Sequence, residues 1–186
     1  MRHVRCRADH GRRAVHTRRT SDSPAVQAPS RRGGLAFLRD PAQRCDWLDP
    51  IKFIPLSPGG DTFLTLGGEV RQQYERFQNE AWGSEPEDKN GYLLQRYMFH
   101  ADLHVRQRFR AFVQLKSGIE AGRVGGPRPP DEDQLDLHQA FADIGVVGRE
   151  LGGPGLTLRV GRQELSFGSQ RLVAVRESPN VRQSFD

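Results

Sequence analysis

The sequence has no long apolar run and few cysteines. No stretch approaches the ~18–20 consecutive apolar residues of a membrane-spanning helix, which excludes a helical membrane protein over these residues. Cys6 and Cys45 are too few for a disulfide framework and lack the spacing of a metal motif. No Gly-x-Ser-x-Gly, P-loop or dinucleotide-binding fingerprint is present, so these enzyme classes gain no support. The mean hydropathy of −0.68 suits a soluble protein, but strands of alternating polarity reach the same average.

Positive charge is concentrated at the N-terminus. Residues 1–45 hold 11 Arg and 3 Asp, whereas residues 46–186 hold 17 basic and 20 acidic side chains. Because residues 1–34 are rich in Arg, Ser and Pro without apolar periodicity, we predict that they are disordered. No aromatic stacking residue or folded reader accompanies them, so we expect no nucleic-acid partner. The best apolar core for a signal peptide is residues 35–38, which is too short to be recognised as one.

Residues 92–120 alternate between apolar and charged side chains. Tyr97, Phe99 and Leu103 fall on one face, and Arg96 and Asp102 fall on the other. The alternation breaks at residues 106–108 and then resumes. A period of two with a short polar break predicts two strands joined by a turn. Strands of about 14 residues with one aromatic face and one fully charged face are typical of a transmembrane barrel.

The rest of the chain completes this prediction. Residues 35–61 form a lead-in whose prolines favour an extended chain, and we expect Trp47, Phe53 and Ile54 to pack. Three further strands are predicted, at residues 62–77, 135–147 and 156–167. Long connections alternate with short ones, as in outer-membrane barrels. The long ones are 78–90, 121–134 and 168–186, and the short ones are 106–108 and 148–155.

The strand at 135–147 has the weakest pattern. Its alternation places Leu135, Leu137 and Phe141 on one face and Asp136 and His138 on the other. The fold class predicted for residues 62–186 is all-β, an antiparallel transmembrane β-barrel fragment of about five long amphipathic strands. Closed single-chain bacterial barrels begin at about 8 strands, so we expect a truncated chain that is inactive alone.

Seven segments carry a family resemblance: FLRDP (37–41), DWLDPIKFIPL (46–56), FLTLGGEVRQQYE (63–75), YLLQRYMFHADLH (92–104), GGPRPPDEDQLDLHQAF (125–141), LRVGRQELSFGSQRLVAVRE (158–177) and SPNVRQSFD (178–186). In this order they resemble the alginate export outer-membrane porin family over roughly four-fifths of the chain. The resemblance implies a bacterial outer-membrane barrel, in contact with lipid, whose basic pore exports an anionic polysaccharide such as alginate or passes other anionic solutes. It implies no enzymatic activity and no cofactor.

A pore for a polyuronate needs cations that stay charged and exchange partners. Arginine suits this role, because it is permanently protonated and grips carboxylates with two hydrogen bonds. The candidate pore-lining cations are Arg71, Arg96, Arg110, Lys116, Arg159 and Arg162, with Arg171, Arg176 and Arg182 in the final segment, which the resemblance suggests folds into the pore. Glu69 and Asp102 are candidate carboxylates that pair with some of them. The alternative for each is an ordinary solvated ion pair.

Two other assignments stay open. His100, Asp102 and His104 share a strand face and include competent zinc ligands, but the neighbouring arginines favour hydrogen bonding over metal. We therefore predict no metal site. The rival function from another class is a soluble β-sheet polysaccharide-binding module or a polysaccharide-degrading enzyme.

Overall fold

The computed structural model describes residues 36–84, 87, 90–106, 108–146, 155–167, 171–175 and 180–186. The predicted disordered segment 1–34 lies outside these residues, as does most of the predicted turn at 148–155.

The described residues form one antiparallel sheet in which each strand pairs with the next along the chain. Its strands are β1 (Ile54–Pro55), β2 (Thr62–Glu75), β3 (Tyr92–Val105), β4 (Phe109–Ala121), β5 (Asp133–Gly145) and β6 (Thr157–Arg162). The prediction of an all-β antiparallel fold is confirmed. Strands β2 to β5 have 13–14 residues, whereas β6 has 6 and is shorter than predicted. Within the described residues the sheet is open, with β1 and β6 at its edges.

Burial in this sheet is inverted relative to a soluble protein. On β4, Arg110 and Lys116 are buried, while Val113 and Leu115 between them are exposed. On β3, Arg96 is only 2% exposed. We call the side that holds Arg96, Arg110 and Lys116 the interior face, and the side that holds Val113 and Leu115 the outer face.

A bulge interrupts the pairing of β4 with β5. Gln114 pairs with Gln139, whereas the next residue, Leu115, pairs with Leu137. His138 is therefore an extra residue on β5, and it is fully buried. An extra residue shifts the alternation by one position, so side chains beyond it change face.

Because of the bulge, Phe141 lies on the opposite face from the one predicted. The sequence placed Phe141 with Leu135 and Leu137, which are exposed in the structure. Phe141 is instead buried on the interior face, with its ring centroid 5.0 Å from that of Phe112. Asp143 follows it onto the same face and is also buried.

The lead-in consists of short helical turns rather than a continuous extended chain. They span Ala36–Arg39, Pro41–Gln43 and Asp49–Lys52. Phe53 is buried against Phe63 of β2, at 4.7 Å between ring centroids, whereas Trp47 is 85% exposed. No helix among the described residues has the length and apolarity required to cross a membrane.

Asp49 organises the end of the lead-in. One carboxylate oxygen accepts hydrogen bonds from the backbone N–H groups of Asp46 and Cys45, both at 2.9 Å, and the other accepts from Lys52 Nζ at 2.9 Å. These donors hold the pKa of Asp49 below its ordinary value. Because the Lys52 carbonyl accepts from Thr65 Oγ1 at 2.8 Å, the lead-in is fixed against the interior face of β2.

A substitution at Gly161 on β6 tests the tight pairing of β5 with β6. Its φ is +121°, and an added Cβ would lie 2.2 Å from the Ala140 carbonyl oxygen. We predict that Gly161→Ala lowers the free energy of unfolding by about 1–3 kcal/mol, measured by urea unfolding in detergent micelles. Gly59→Ala is the control, because its Cβ would lie 3.5 Å from Asp61 Oδ2 at an ordinary φ. Equal stability of the two variants would contradict the pairing.

Candidate functional site

One row of the interior face joins four strands through ion pairs. The register places His104, Arg110, Asp143 and Arg159 side by side, one on each of β3 to β6. Arg110 donates from Nε and Nη2 to the two oxygens of Asp102, at 2.7 and 2.9 Å, and from Nη1 to Asp143 at 3.4 Å. Arg159 donates to both oxygens of Asp143, at 2.6 and 2.8 Å. We call these five residues the four-strand ion network.

Aromatic rings border the four-strand ion network. The guanidinium of Arg159 lies 3.9 Å from the ring centroid of Phe141, and that of Arg110 lies 5.5 Å from the centroids of Phe141 and Phe112. Cations over ring faces gain additional attraction, which strengthens when water is excluded. His100 stacks on Phe112, at 5.5 Å between ring centroids.

A second group of charges lies further along the same face. Arg96 Nη2 lies 2.7 Å from Glu69 Oε1 across β3 and β2. Lys116 Nζ lies 3.1 Å from an oxygen of Asp133 and 3.6 Å from one of Asp136 on β5. Each cation therefore faces carboxylates supplied by a neighbouring strand, and the lining is mixed in charge rather than purely basic.

Residues 180–186, the tail segment, lie against this second group. Asn180 is buried, and its Nδ2 donates to the carbonyls of Gln95 and Asp131, at 3.0 and 2.9 Å. Lys116 Nζ donates to the Arg182 carbonyl at 3.0 Å. Gly118 leaves room for this contact, because an added Cβ would lie 3.1 Å from Asn180 Nδ2.

The side chain of Arg182 is buried by the same contacts. Its Nη2 and Nε each lie 3.3 Å from an oxygen of Glu164. His138 Nε2, at the bulge, lies 2.7 Å from Glu164 Oε1. Glu164 therefore joins the tail segment to β5.

A third group, the loop cluster, comprises Glu80, Arg123, Arg128 and Asp131. Glu80 lies within 2.9 Å of Arg123 Nη1 and within 2.7 Å of Arg128 Nη1. Asp131 is fully buried, with one oxygen 3.3 Å from Arg123 Nε and 2.8 Å from Arg128 Nε. The hydrogen bond to Asp131 is the main reason that the pKa of Arg128 is raised.

Most of the predicted site residues come together on the interior face. Glu69, Arg71, Arg96, Asp102, Arg110, Lys116 and Arg159 lie there by register, and Arg182 reaches it from the tail segment. Arg171 is exposed outside the sheet, and Arg176 lies outside the described residues.

Arg162 lies at the end of β6 and binds the tail segment. It pairs with Ala140 and follows Gly161, whose φ of +121° departs from regular strand geometry. Its guanidinium binds the Asp186 carboxylate, at 2.6 and 3.1 Å.

Several residues of the site were not predicted from the sequence. Asp143 was hidden by the bulge, although its spacing of two from Phe141 assigns both to one face once the bulge is known. Asn180 and Glu80 carry no local signal, because their partners lie far away in the chain.

No metal-binding arrangement is found among the residues that the structure describes. His104 Nε2 lies 3.2 Å from Asp102, whose carboxylate is already occupied by Arg110. His100 stacks on Phe112, and His104 and Arg110 both contact the Asp102 carboxylate.

Comparison with known proteins gives one finding. A protein-family model described as alginate export matches residues 62–186, which contain β2 to β6 and the tail segment. None of the curated proteins and none of the solved structures compared with this chain gives a match.

Arg110 tests whether the four-strand ion network stabilises the fold. We predict that Arg110→Gln lowers the free energy of unfolding in micelles by about 3–5 kcal/mol, because Asp102 and Asp143 lose a buried partner. Arg39→Gln is the control, since its pair with Asp61 is 3.7 Å long and both side chains are at least half exposed.

Exposed pairs contribute about 0–1 kcal/mol, so the control should unfold almost like the wild type. Adding Asp102→Asn to Arg110→Gln should recover part of the loss. An Arg110→Gln variant as stable as Arg39→Gln would show that the four-strand ion network contributes nothing to the free energy of unfolding.

Proposed function

The chain belongs to the alginate export family, and we propose on this basis that it forms part of a bacterial outer-membrane, porin-like barrel. The proposed cargo is an anionic polysaccharide of the alginate type or smaller anionic solutes. Alginate export is transport, so this is not an enzyme family. The observation that carries the proposal beyond family membership is the inverted burial, with charges inside and apolar side chains outside.

The outer face has the character of a lipid-facing surface. Its exposed side chains on the strands are Val70, Tyr74, Tyr97, Phe99, Val113, Leu115, Ile119, Leu135, Leu137, Ile144, Leu158 and Val160. A strand of 14 residues is about 46 Å long at ~3.3 Å per residue. Tilted by about 40°, it spans roughly 35 Å, which exceeds the apolar band of ~25 Å around outer-membrane barrels.

The interior face suits a polyuronate that must move. Each sugar of such a polymer carries a carboxylate, which is the partner that the interior guanidinium groups already hold. Arg159 binds Asp143 and Arg96 binds Glu69, so a passing carboxylate replaces one of these partners instead of meeting a bare cation. Partial neutralisation keeps binding weak enough for release, which conduction requires.

The connections give a proposed orientation. The turn between β3 and β4 is short, whereas the connections on either side of this hairpin, at 76–91 and 122–132, are long. Outer-membrane barrels have short periplasmic turns and longer extracellular loops. We place the loop cluster at the extracellular end and the lead-in at the periplasmic end.

Six strands are not expected to conduct alone. Closed single-chain bacterial barrels begin at about 8 strands, and an unpaired strand edge in hydrocarbon leaves backbone groups without partners. We propose that both edges of the sheet pair with further strands, from a longer chain or from other copies, when the pore is formed. The open sheet in isolation is then inactive in transport.

Cell fractionation tests the location. We predict that the protein sediments with the outer membrane of its host and resists extraction by carbonate, because its outer face is apolar. Detection uses an antibody against the chain, with a known outer-membrane barrel as the positive control. Recovery as a detergent-free soluble monomer would favour the soluble binding module or degrading enzyme instead.

Single-channel recording of the assembled protein tests the lining. We predict that Arg159→Gln and Arg96→Gln each reduce the preference for anions about two- to fivefold, since one charge in a hydrated lumen contributes on the order of 1 kcal/mol. Arg39→Gln is the control, because it removes the same charge from an exposed position of the lead-in, outside the sheet. Selectivity that is unchanged in Arg159→Gln and Arg96→Gln would contradict the proposed role.

A further inference from the structure

The loop cluster joins two long loops through one carboxylate. Arg123, Arg128 and Asp131 all belong to loop 122–132, whereas Glu80 comes from loop 76–91. Each oxygen of Glu80 takes a different guanidinium: Oε2 lies 2.9 Å from Arg123 and Oε1 lies 2.7 Å from Arg128. Both arginines therefore bind the same carboxylate.

Contacts other than those with Glu80 also hold Arg123 and Arg128 in position. Asp131 is fully buried and lies within 3.3 Å of Arg123 Nε and 2.8 Å of Arg128 Nε. The Arg123 guanidinium lies 3.8 Å from the ring centroid of Tyr92, and its backbone N–H donates to Glu120 at 2.8 Å. These contacts keep both guanidinium groups in position when the Glu80 carboxylate leaves.

The place occupied by Glu80 faces two positive groups. Arg123 and Arg128 together exceed the charge of Asp131 by one positive unit, and Glu80 cancels that unit. Two guanidinium groups that share one side favour an anion at this place. A planar carboxylate fits the fork geometry of guanidinium groups.

The short turn Glu80–Gly83 exposes Trp82 to solvent. Trp82, in the same short turn, is fully exposed and has a φ of +62°, a conformation that bulky side chains rarely adopt. The Arg128 side chain is 40% exposed and that of Glu80 is 20% exposed, so both side chains are accessible to a solute.

We propose that Arg123 and Arg128 form a carboxylate-binding site at the long-loop end of the sheet, that Glu80 is its internal occupant, and that a uronate carboxylate of the polysaccharide displaces Glu80. The proposal rests on the proposed function for the identity of the uronate. Displacement exchanges one carboxylate for another on the same two arginines. It also breaks the ion pairs that join Glu80 to loop 122–132.

Calorimetric titration of the full chain in detergent micelles tests the site. The probe is a defined tetramer of uronic acid, and a neutral sugar tetramer with the same linkage is the ligand control. Glu80→Gln should tighten binding of the uronate tetramer about five- to tenfold, because the internal competitor loses its charge. Arg128→Gln should weaken binding at least about tenfold, and the double variant should resemble Arg128→Gln.

Glu132→Gln is the matched charge control. Glu132 lies in the same loop, and its carboxylate accepts from Gln134 at 3.4 Å, outside the loop cluster. Equal tightening by Glu132→Gln and Glu80→Gln would reduce the effect to net charge and overturn the inference. Wild-type binding that neither Glu80→Gln nor Arg128→Gln alters would overturn the inference and leave the proposed function standing. If no variant binds the uronate tetramer, both the inference and the proposed substrate class fall.

Discussion

The fold depends on burying arginine and carboxylate side chains as pairs. Arg110 shows the constraint, since it binds Asp102 on β3 and reaches Asp143 on β5 from a position that is 9% exposed. A buried charge without a partner costs several kcal/mol, whereas a pair at 4 Å regains about 4 kcal/mol at an effective dielectric constant of 20. Each charged side chain on one strand therefore requires a side chain of opposite charge at a defined position on the neighbouring strand.

The outer face follows from this constraint. In a strand, successive side chains point to opposite faces, so a charged interior leaves the remaining positions to face outward. Those positions hold residues such as Val113 and Val160, and a row of them across five strands is a surface that water does not favour. The proposed barrel would turn this surface toward lipid and the charged face toward a water-filled lumen.

Local patterns were sufficient for the long strands. Strands β3 and β4 pair without a register shift, so the sequence alternation predicts the face of each side chain correctly. On β5, the extra residue His138 moved Phe141 and Asp143 to the interior, and a bulge has no signal in a single alternating pattern. Asn180 and Glu80 depend on contacts with distant segments, which periodicity does not record. The alternation therefore predicted the sheet and the face of most of its charged side chains. The position of the tail segment was expected only from the family resemblance, and the loop cluster was not predicted.

Nitroxide accessibility on β4 tests the central claim most directly. A spin label is placed in turn at Val113, Gln114 and Leu115 of a cysteine-free variant reconstituted in lipid. We predict that labels at 113 and 115 collide more with oxygen, which concentrates in lipid, and that the label at 114 collides more with a water-soluble nickel chelate. Equal exposure of all three labels to the nickel chelate would contradict a lipid-facing outer face.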